Sequence, residues 1–533
     1  MSGSMKTKPR DIAELVQAQS RLFADLEILT CVNIAPDGSL VDEKRTYEQL
    51  YDNACRLAAG LCQAGIARGD RFVLMLHNHP EFVEAMLAAA LLGATFVPVD
   101  PRSMGDKLAY MLNFVECKLV IAGDYALPAI FDASDSLTHT RSVIVVGEWA
   151  DAKVPANLAC TGYDDALSAG STEFSRVAPN PDGVMFMMFT SGTTGNPKAV
   201  VRRHGHHMKG IKGLRALGVR QDDTLFTGLP LSHINAQSTL GTGLALAIPV
   251  VMSRKFTKSR LWDICRAYDC TVFTLLGGMI PEIFSVPEAP GDADNPVRLV
   301  IASGMPAALW NEYKRRFGIE ITEVYGSTEA GGVLINLLGE GPVGSMGKPP
   351  KGSLATIMDP SGAACPPGVA GELCFRPETG DVARITYFRN EDASREKTQT
   401  GWFRTGDIAH RDENGWFYFH HRAGGGVRRN GDFVNTSLVE TILAKSPLVE
   451  DVFVYGVETN TNIAGEKTLV AAIVFSADDR VDELRTWCAS HLQKNEIPEI
   501  WQPLKVIPKT ISEKPVERDC IALLKKNGLV ELA

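Results

Sequence analysis

Short apolar runs alternate with longer helical patterns through the first third of the chain, and this alternation restricts the fold more than any other feature. Tyr47–Ala64 reads as a helix closed by a turn at Gly65 and Gly69, and Arg71–Leu76 as a strand. Phe82–Leu92 and Lys107–Val115 are helical, while Thr95–Val99, Lys118–Ile121 and Ser142–Val146 are strands. Strands separated by helices pair mostly in parallel, which predicts an α/β architecture of layered sheets and helices. The stretch Phe82–Val99 is apolar enough to suggest a membrane span, but it contains Glu84, Gly93 and Pro98. A buried helix followed by a short strand is the simpler expectation.

With 533 residues the chain is too long for one compact core, so at least two domains are expected. After residue 340 the pattern changes to short strands between Gly- and Pro-rich turns, as in Gly371–Arg376 and Trp416–His420. The run Arg422-Ala-Gly-Gly-Gly-Val427 suits a linker or hinge. Beyond it lie further periodic segments, Leu438–Ala444, Asp451–Val457, Leu469–Phe475 and Val481–Leu492, enough for a small separate unit. The expected division is therefore 1–421 as a large α/β N-terminal domain and 422–533 as a small, mobile α+β C-terminal domain.

A formal charge of −9 argues against nucleic acid or anionic lipid as partners, since both need a basic surface. Eleven cysteines without a CxxC pair, and no secretory leader before them, suit reduced thiols in a cytoplasmic protein. Met1-Ser-Gly-Ser-Met5 is open to reading as an expression scar before a native Met5.

The strongest local signal is Thr190-Ser-Gly-Thr-Thr-Gly-Asn-Pro-Lys198, directly after the apolar run Val184–Phe189. Glycines let backbone N–H groups approach an anion, hydroxyls add donors, and lysine adds charge. Lys198 stands three positions after Gly195, so this is no Walker P-loop. Four further blocks follow: Tyr325-Gly-Ser-Thr-Glu329, Thr405-Gly-Asp407, Arg422, and Pro508-Lys-Thr-Ile-Ser-Glu-Lys514. Taken singly, each has a plain structural alternative. Asp407 could occupy a turn, Glu329 could be a solvated helix-start carboxylate, Tyr325 a core aromatic and Lys514 a surface lysine.

In this order, the five blocks resemble the adenylate-forming superfamily of acyl-CoA synthetases, non-ribosomal peptide adenylation domains and luciferases. Pro230-Leu-Ser-His-Ile-Asn-Ala-Gln237 is similar to the bacterial carnitine/crotonobetaine-CoA ligases within it. The resemblance implies ATP, Mg²⁺ and coenzyme A as cofactors, and a small-molecule carboxylic acid as substrate. Thr190, Ser191, Gly192, Thr193, Thr194, Gly195 and Lys198 would line the phosphate loop. Thr328 would meet the α-phosphate and Glu329 would hold Mg²⁺. Tyr325, Gly326 and Ser327, with Ser303, Gly304 and Met305, would enclose the adenine. Asp407 would accept the ribose hydroxyls, with Arg422 beside them. His233 would line or gate the acyl pocket, with a packed structural histidine as the competing reading. Lys514 would bridge carboxylate and α-phosphate, and the resemblance leaves room for a homodimer.

Attack of a carboxylate on the α-phosphorus brings negative charges together, so cations and pre-aimed donors at these positions make chemical sense. The expected reaction forms an acyl-adenylate and then a CoA thioester. The rivals are an adenylation enzyme loading a carrier-protein phosphopantetheine, a luciferase-type oxygenase, and a nucleotide-binding regulator without catalysis. Three departures from the family pattern stand out: His421 before the arginine, Gly424 at the hinge position, and Ser512-Glu513-Lys514-Pro515. The last leaves Lys509 as a fallback for the catalytic lysine. His204, His206 and His207 are read as polar residues at a helix start rather than as a zinc site.

Overall fold

The computed structural model describes residues 8–528 apart from 150–152, 191–196, 277–278, 285, 382–384, 423–426, 430–431, 460–465, 478–479 and 509–514. The alternation in the first third builds a seven-stranded sheet. Its order is Ala159–Gly162, Ser142–Val146, Leu119–Gly123, Arg71–Met75, Thr95–Pro98, Val184–Thr190, Lys198–Arg203. All neighbours are parallel except the last pair, which forms a hairpin.

A second, eight-stranded sheet runs Val333–Asn336, Glu320–Gly326, Leu299–Ser303, Val272–Leu276, Leu225–Thr227, Val250–Ser253, Glu27–Ile34, Leu40–Thr46. Its interior pairs are parallel and its two outer pairs antiparallel. The N-terminal strands therefore join a sheet whose other members lie two hundred residues on.

The helix Pro80–Leu92 fills the apolar core shared by both sheets. Proline in its first turn costs no hydrogen bond, and Gly93 ends it in the left-handed region at φ +66°. Every residue of the helix but Glu81 is buried, which explains the unbroken apolar run. Glu84 within it is fully buried, yet it accepts from Arg45 Nε at 2.7 Å, Asn53 Nδ2 at 2.9 Å and the Tyr163 hydroxyl at 2.7 Å. Among the described residues no helix is long and apolar enough to cross a membrane.

The change of pattern after residue 340 is an antiparallel four-stranded sheet, Ser353–Met358, Gly371–Pro377, Phe403–Arg411, Phe417–Arg422, with its own core. After the hairpin Val427–Arg429/Asp432–Val434 comes a three-stranded sheet of Val449–Val457, Thr468–Phe475 and Ile500–Pro503. Helices Thr436–Leu443, Val481–Ala489 and Glu517–Lys526 accompany it, around two further small apolar clusters. Polar contacts tie this lobe to the helix Gly105–Phe114 and the turn before it. Gln493 Nε2 donates to Ser103 Oγ at 3.2 Å, Lys445 Nζ to Asp106 Oδ2 at 2.5 Å, and Lys107 pairs with Glu496.

Candidate active site

Strand Val184–Thr190 is buried along most of its length, and the hairpin returns as Lys198–Arg203 with Thr190 opposite Lys198. The hairpin thus brings together the two ends of the phosphate loop, and Thr190 Oγ1 donates to the Lys198 carbonyl at 3.4 Å. The rest of that loop, Ser191, Gly192, Thr193, Thr194 and Gly195, lies outside the described residues, as do Lys509, Lys514 and Gly424. Lys198 Nζ sits 5.6 Å above the ring of Tyr387, and the Tyr387 hydroxyl donates to Glu329 Oε1 at 2.8 Å. Tyr387 is buried where its segment crosses the hairpin, with Val201 N bonding the Thr386 carbonyl at 2.9 Å. No sequence signal singled it out.

Tyr325 and Gly326 end the strand Glu320–Gly326, and Ser327 starts a turn closed by the Ala330 N–H on the Ser327 carbonyl. Glu329 therefore sits on a turn, not at a helix start. Thr328 occupies the same turn and is half-buried. The two glycines that follow are required by close approach. A Cβ at Gly331 would meet Phe403 Cδ1 at 2.1 Å, and one at Gly332 would meet Phe375 Cγ at 2.0 Å. Packed flat on these rings, the segment fixes the position of Glu329.

The ring of Tyr325 stacks on Phe375, with centroids 6.0 Å apart, and its hydroxyl donates to Asp407 Oδ2 at 2.5 Å. Asp407 is buried on strand Phe403–Arg411, not in a turn of its own. Its approach is shaped by Gly406 at φ +82°, whose N–H donates to Glu372 Oε1 at 2.8 Å. Thr405 Oγ1 donates to the Leu373 carbonyl and accepts from the Asp407 N–H. Asp407 also faces Arg422 in register on the neighbouring strand.

The segment Ser303-Gly304-Met305 is held by a residue that sequence reasoning missed. Glu323 accepts from the N–H groups of Gly304 at 2.5 Å and Met305 at 3.1 Å, while Ser303 Oγ donates to the Val324 carbonyl at 2.7 Å. Burial pushes the Glu323 carboxyl up to about 7, against the lowering pull of those two amides. Its position two residues before Tyr325, a carboxylate between Ile321 and Val324 in a buried stretch of strand, was the available signal.

His233 caps the helix Ile234–Leu246, and its Nδ1 accepts from Asn235 N at 3.3 Å, which assigns the ring proton to Nε2. Asn78 fixes the preceding turn by bonding the Leu229 carbonyl at 2.9 Å and the Leu231 N–H at 2.8 Å. Desolvation lowers the His233 pKa to about 4, so the ring is neutral at ordinary pH. His204, His206 and His207 begin the helix His204–Gly210, and burial lowers His206 to about 4 and His207 to about 3.

Five buried polar atoms on these elements have no protein partner: Arg202 Nε, His204 Nδ1, Ser327 Oγ, Asn235 Oδ1 and Gln237 Oε1. Arg202 is only 7% exposed; its NH1 reaches the Glu329 carbonyl at 3.5 Å, and burial lowers its pKa to about 10.

Among the described residues no three His, Cys, Asp or Glu side chains stand close enough together to hold a metal ion. Mg²⁺ bound by one carboxylate, phosphate oxygens and water needs no such cluster, and Glu329, fixed by Tyr387 close to Lys198, fits that donor set.

The lysine-bearing hairpin, the carboxylate turn and the buried aspartate are linked through Tyr387 and Tyr325. The AMP-binding enzyme family matches residues 23–383 and the AMP-binding enzyme C-terminal domain family matches 438–514; the chain belongs to the AMP-binding enzyme family. The crotonobetaine/carnitine–CoA ligases of Salmonella paratyphi B and Salmonella typhimurium are each 26% identical over 487 residues, covering 89% of this chain and 92% of theirs. Among solved structures, a double mutant of Bacillus subtilis o-succinylbenzoate CoA synthetase bound with a product analogue has a TM-score of 0.78 at 22% identity. That match covers 95% of this chain and 97% of the other. The same synthetase in complex with its acyl-adenylate intermediate gives 0.63 with equal identity and coverage.

Proposed function

We propose that this chain is an AMP-forming acid–thiol ligase. It joins a carboxylic acid to ATP, giving an acyl-adenylate and pyrophosphate, and then transfers the acyl group to coenzyme A with release of AMP. The observation that carries this reading is the convergence of blocks far apart in the sequence. Lys198, Tyr387 and Glu329 are linked by a ring contact and a hydrogen bond, and Tyr325 bonds directly to Asp407.

In this reading Thr190 and Lys198 bracket the phosphates and Thr328 meets the α-phosphate. Glu329 would hold Mg²⁺, which offsets phosphate charge during displacement. Each Asp407 oxygen can accept more than one hydrogen bond, so the Tyr325 hydroxyl leaves acceptor capacity for ribose hydroxyls. The segment Ser303–Met305, with Gly326 and Ser327, would border the base, and Arg422 would add donors near the ribose. A neutral His233 Nε2–H is a donor at the mouth of the acyl site. Lys514 would be the lysine that bridges carboxylate and α-phosphate. The division at 421/422, with a mobile C-terminal domain, is supported by the separate small cores beyond the glycine run. All eleven cysteines are unpaired, which supports a reducing compartment, the cytoplasm.

Acid-dependent exchange of labelled pyrophosphate into ATP tests the first half-reaction. Exchange that rises with acid and needs Mg²⁺ supports the ligase; ATP binding without exchange for any acid would favour a regulator. A thioester formed only on a carrier protein, and not on free CoA, would favour the carrier-loading enzyme.

A further inference from the structure

The two faces of the small C-terminal sheet carry different parts of the chain. Side chains alternate along its strands, so Val454, Leu469 and Ala471 point to one face and Tyr455, Val470 and Ala472 to the other. The first face packs against Val427 and Val434 of the hairpin. The second packs against Ile507 and Cys520, which flank Lys514 in the chain, and the Val516 N–H on the Pro508 carbonyl at 2.8 Å joins those flanks. The hairpin and the flanks of Lys514 therefore lie on opposite sides of one sheet, with packed layers about 10 Å to either side of it.

The hairpin side is the one that meets the large lobe. Arg428 lies close enough to Glu323 for each charge to shift the other, and Glu323 holds the Gly304 and Met305 amides. The adjacent Arg429 points to the other face of its strand. Its guanidinium donates to the carbonyls of Asn495 at 2.9 Å and Ile497 at 2.6 Å, and pairs with Glu499 at 3.1 Å. The turn it grips is the one docked on the large lobe. Glu496 in that turn is 6% exposed, pairs with Lys107 of the helix Gly105–Phe114, and accepts from the Gln493 N–H at 2.9 Å. A continuous line of contacts thus runs from Lys107 through Glu496 and Arg429 to the strand that carries Arg428.

Separating a largely buried ion pair leaves a charge without its partner, so the Lys107–Glu496 pair is satisfied only while the small lobe keeps this placement. The exposed pair between Lys445 and Asp106 imposes little such restraint. We propose that Lys107 and Glu496 are positioning residues for thioester formation. Their pair, acting through Arg429, holds the hairpin beside the segment Ser303–Met305, and it must open for the small lobe to turn and deliver Lys514 for adenylation. This rests on the ligase reading above.

The test measures the half-reactions of the full chain separately. Pyrophosphate exchange reports adenylation; CoA consumption with the purified acyl-adenylate of the fastest-exchanging acid reports thioester formation. Glu496→Gln should slow thioester formation on the order of tenfold and leave exchange unchanged or faster. Lys107→Met should do the same, and the double variant should be no slower than either single one. Lys445→Ser should change either step by less than about twofold. Equal loss of both steps, loss of exchange alone, or additive losses in the double variant overturns the assignment. A second measurement fixes the lobes in place. With Ser103→Cys and Gln493→Cys introduced, a short, cleavable bifunctional thiol reagent should join them. The joined protein should keep thioester formation and lose exchange on the order of 10²-fold, with exchange returning on cleavage. Exchange at the unjoined rate overturns the assignment. Absence of exchange in the wild type with every acid would sink the ligase reading. The joining yield would still decide the role of the pair: a fall in Glu496→Gln supports it, and an unaltered yield removes it.

Discussion

The two walls of the site differ in how their polar atoms are satisfied. On the nucleotide wall Tyr325 donates to Asp407, Tyr387 to Glu329, and the Gly304 and Met305 amides to Glu323. On the side of the helices His204–Gly210 and Ile234–Leu246, Arg202, His204, Asn235 and Gln237 keep buried atoms without protein partners, and Ser327 does so at the boundary. A buried polar atom left unpaired costs about 1–3 kcal/mol, a cost that a polar group bound on that side would offset.

The comparison can be broken most forcefully from the nucleotide side. Lys514→Ala should lower adenylation on the order of 10²–10³-fold while thioester formation from supplied acyl-adenylate survives, as measured separately for each half-reaction. Equal loss of both steps would remove Lys514 from its role. Asp407→Ala deletes a buried carboxylate with a charge-assisted bond, and kcat/KM for ATP should fall about 10- to 100-fold. The acid KM should stay nearly constant if the walls are separable. Tyr387→Phe leaves the ring under Lys198 but removes the donor to Glu329. The Mg²⁺ concentration for half-maximal rate should rise about tenfold, in the manner of a lost outer-shell partner.

The smallest effect concerns the helix His204–Gly210. Burial lowers the His207 pKa to about 3, below its unfolded value near 6.5. Between those values the unfolded chain binds a proton that the folded chain excludes. Stability is therefore fully present above pH 6.5 and falls as the pH drops, by up to about 2 kcal/mol at pH 5. Thermal unfolding across that range should flatten in His207→Gln, and an unchanged slope would mean that His207 is protonated in the fold.

How much of this was legible in the sequence follows the same division. The helix Pro80–Leu92 and the strands around it were readable because period and length fix an element locally. Tyr325–Glu329 and Thr405–Asp407 stand out in the sequence because their polar residues are consecutive, and the fold brings Tyr325 and Asp407 into contact. Tyr387 was not, since it reaches Glu329 only after its segment crosses the hairpin 187 positions away, between Val200 and Tyr387. The place of Glu27–Ile34 beside Val250–Ser253 is likewise a tertiary fact, with no local pattern to announce it. Arg202 reads as one of two adjacent strand arginines, and only burial separates it from the exposed Arg203.

The most direct test of the central claim is mass-spectrometric identification of products from one incubation of the full chain with ATP, Mg²⁺, CoA and a panel of carboxylic acids. The account predicts an acyl-CoA, with AMP and pyrophosphate in equal amounts, and acyl-adenylate accumulating when CoA is withheld. ADP with phosphate, or intact ATP across the whole panel with nucleotide still bound, would contradict it.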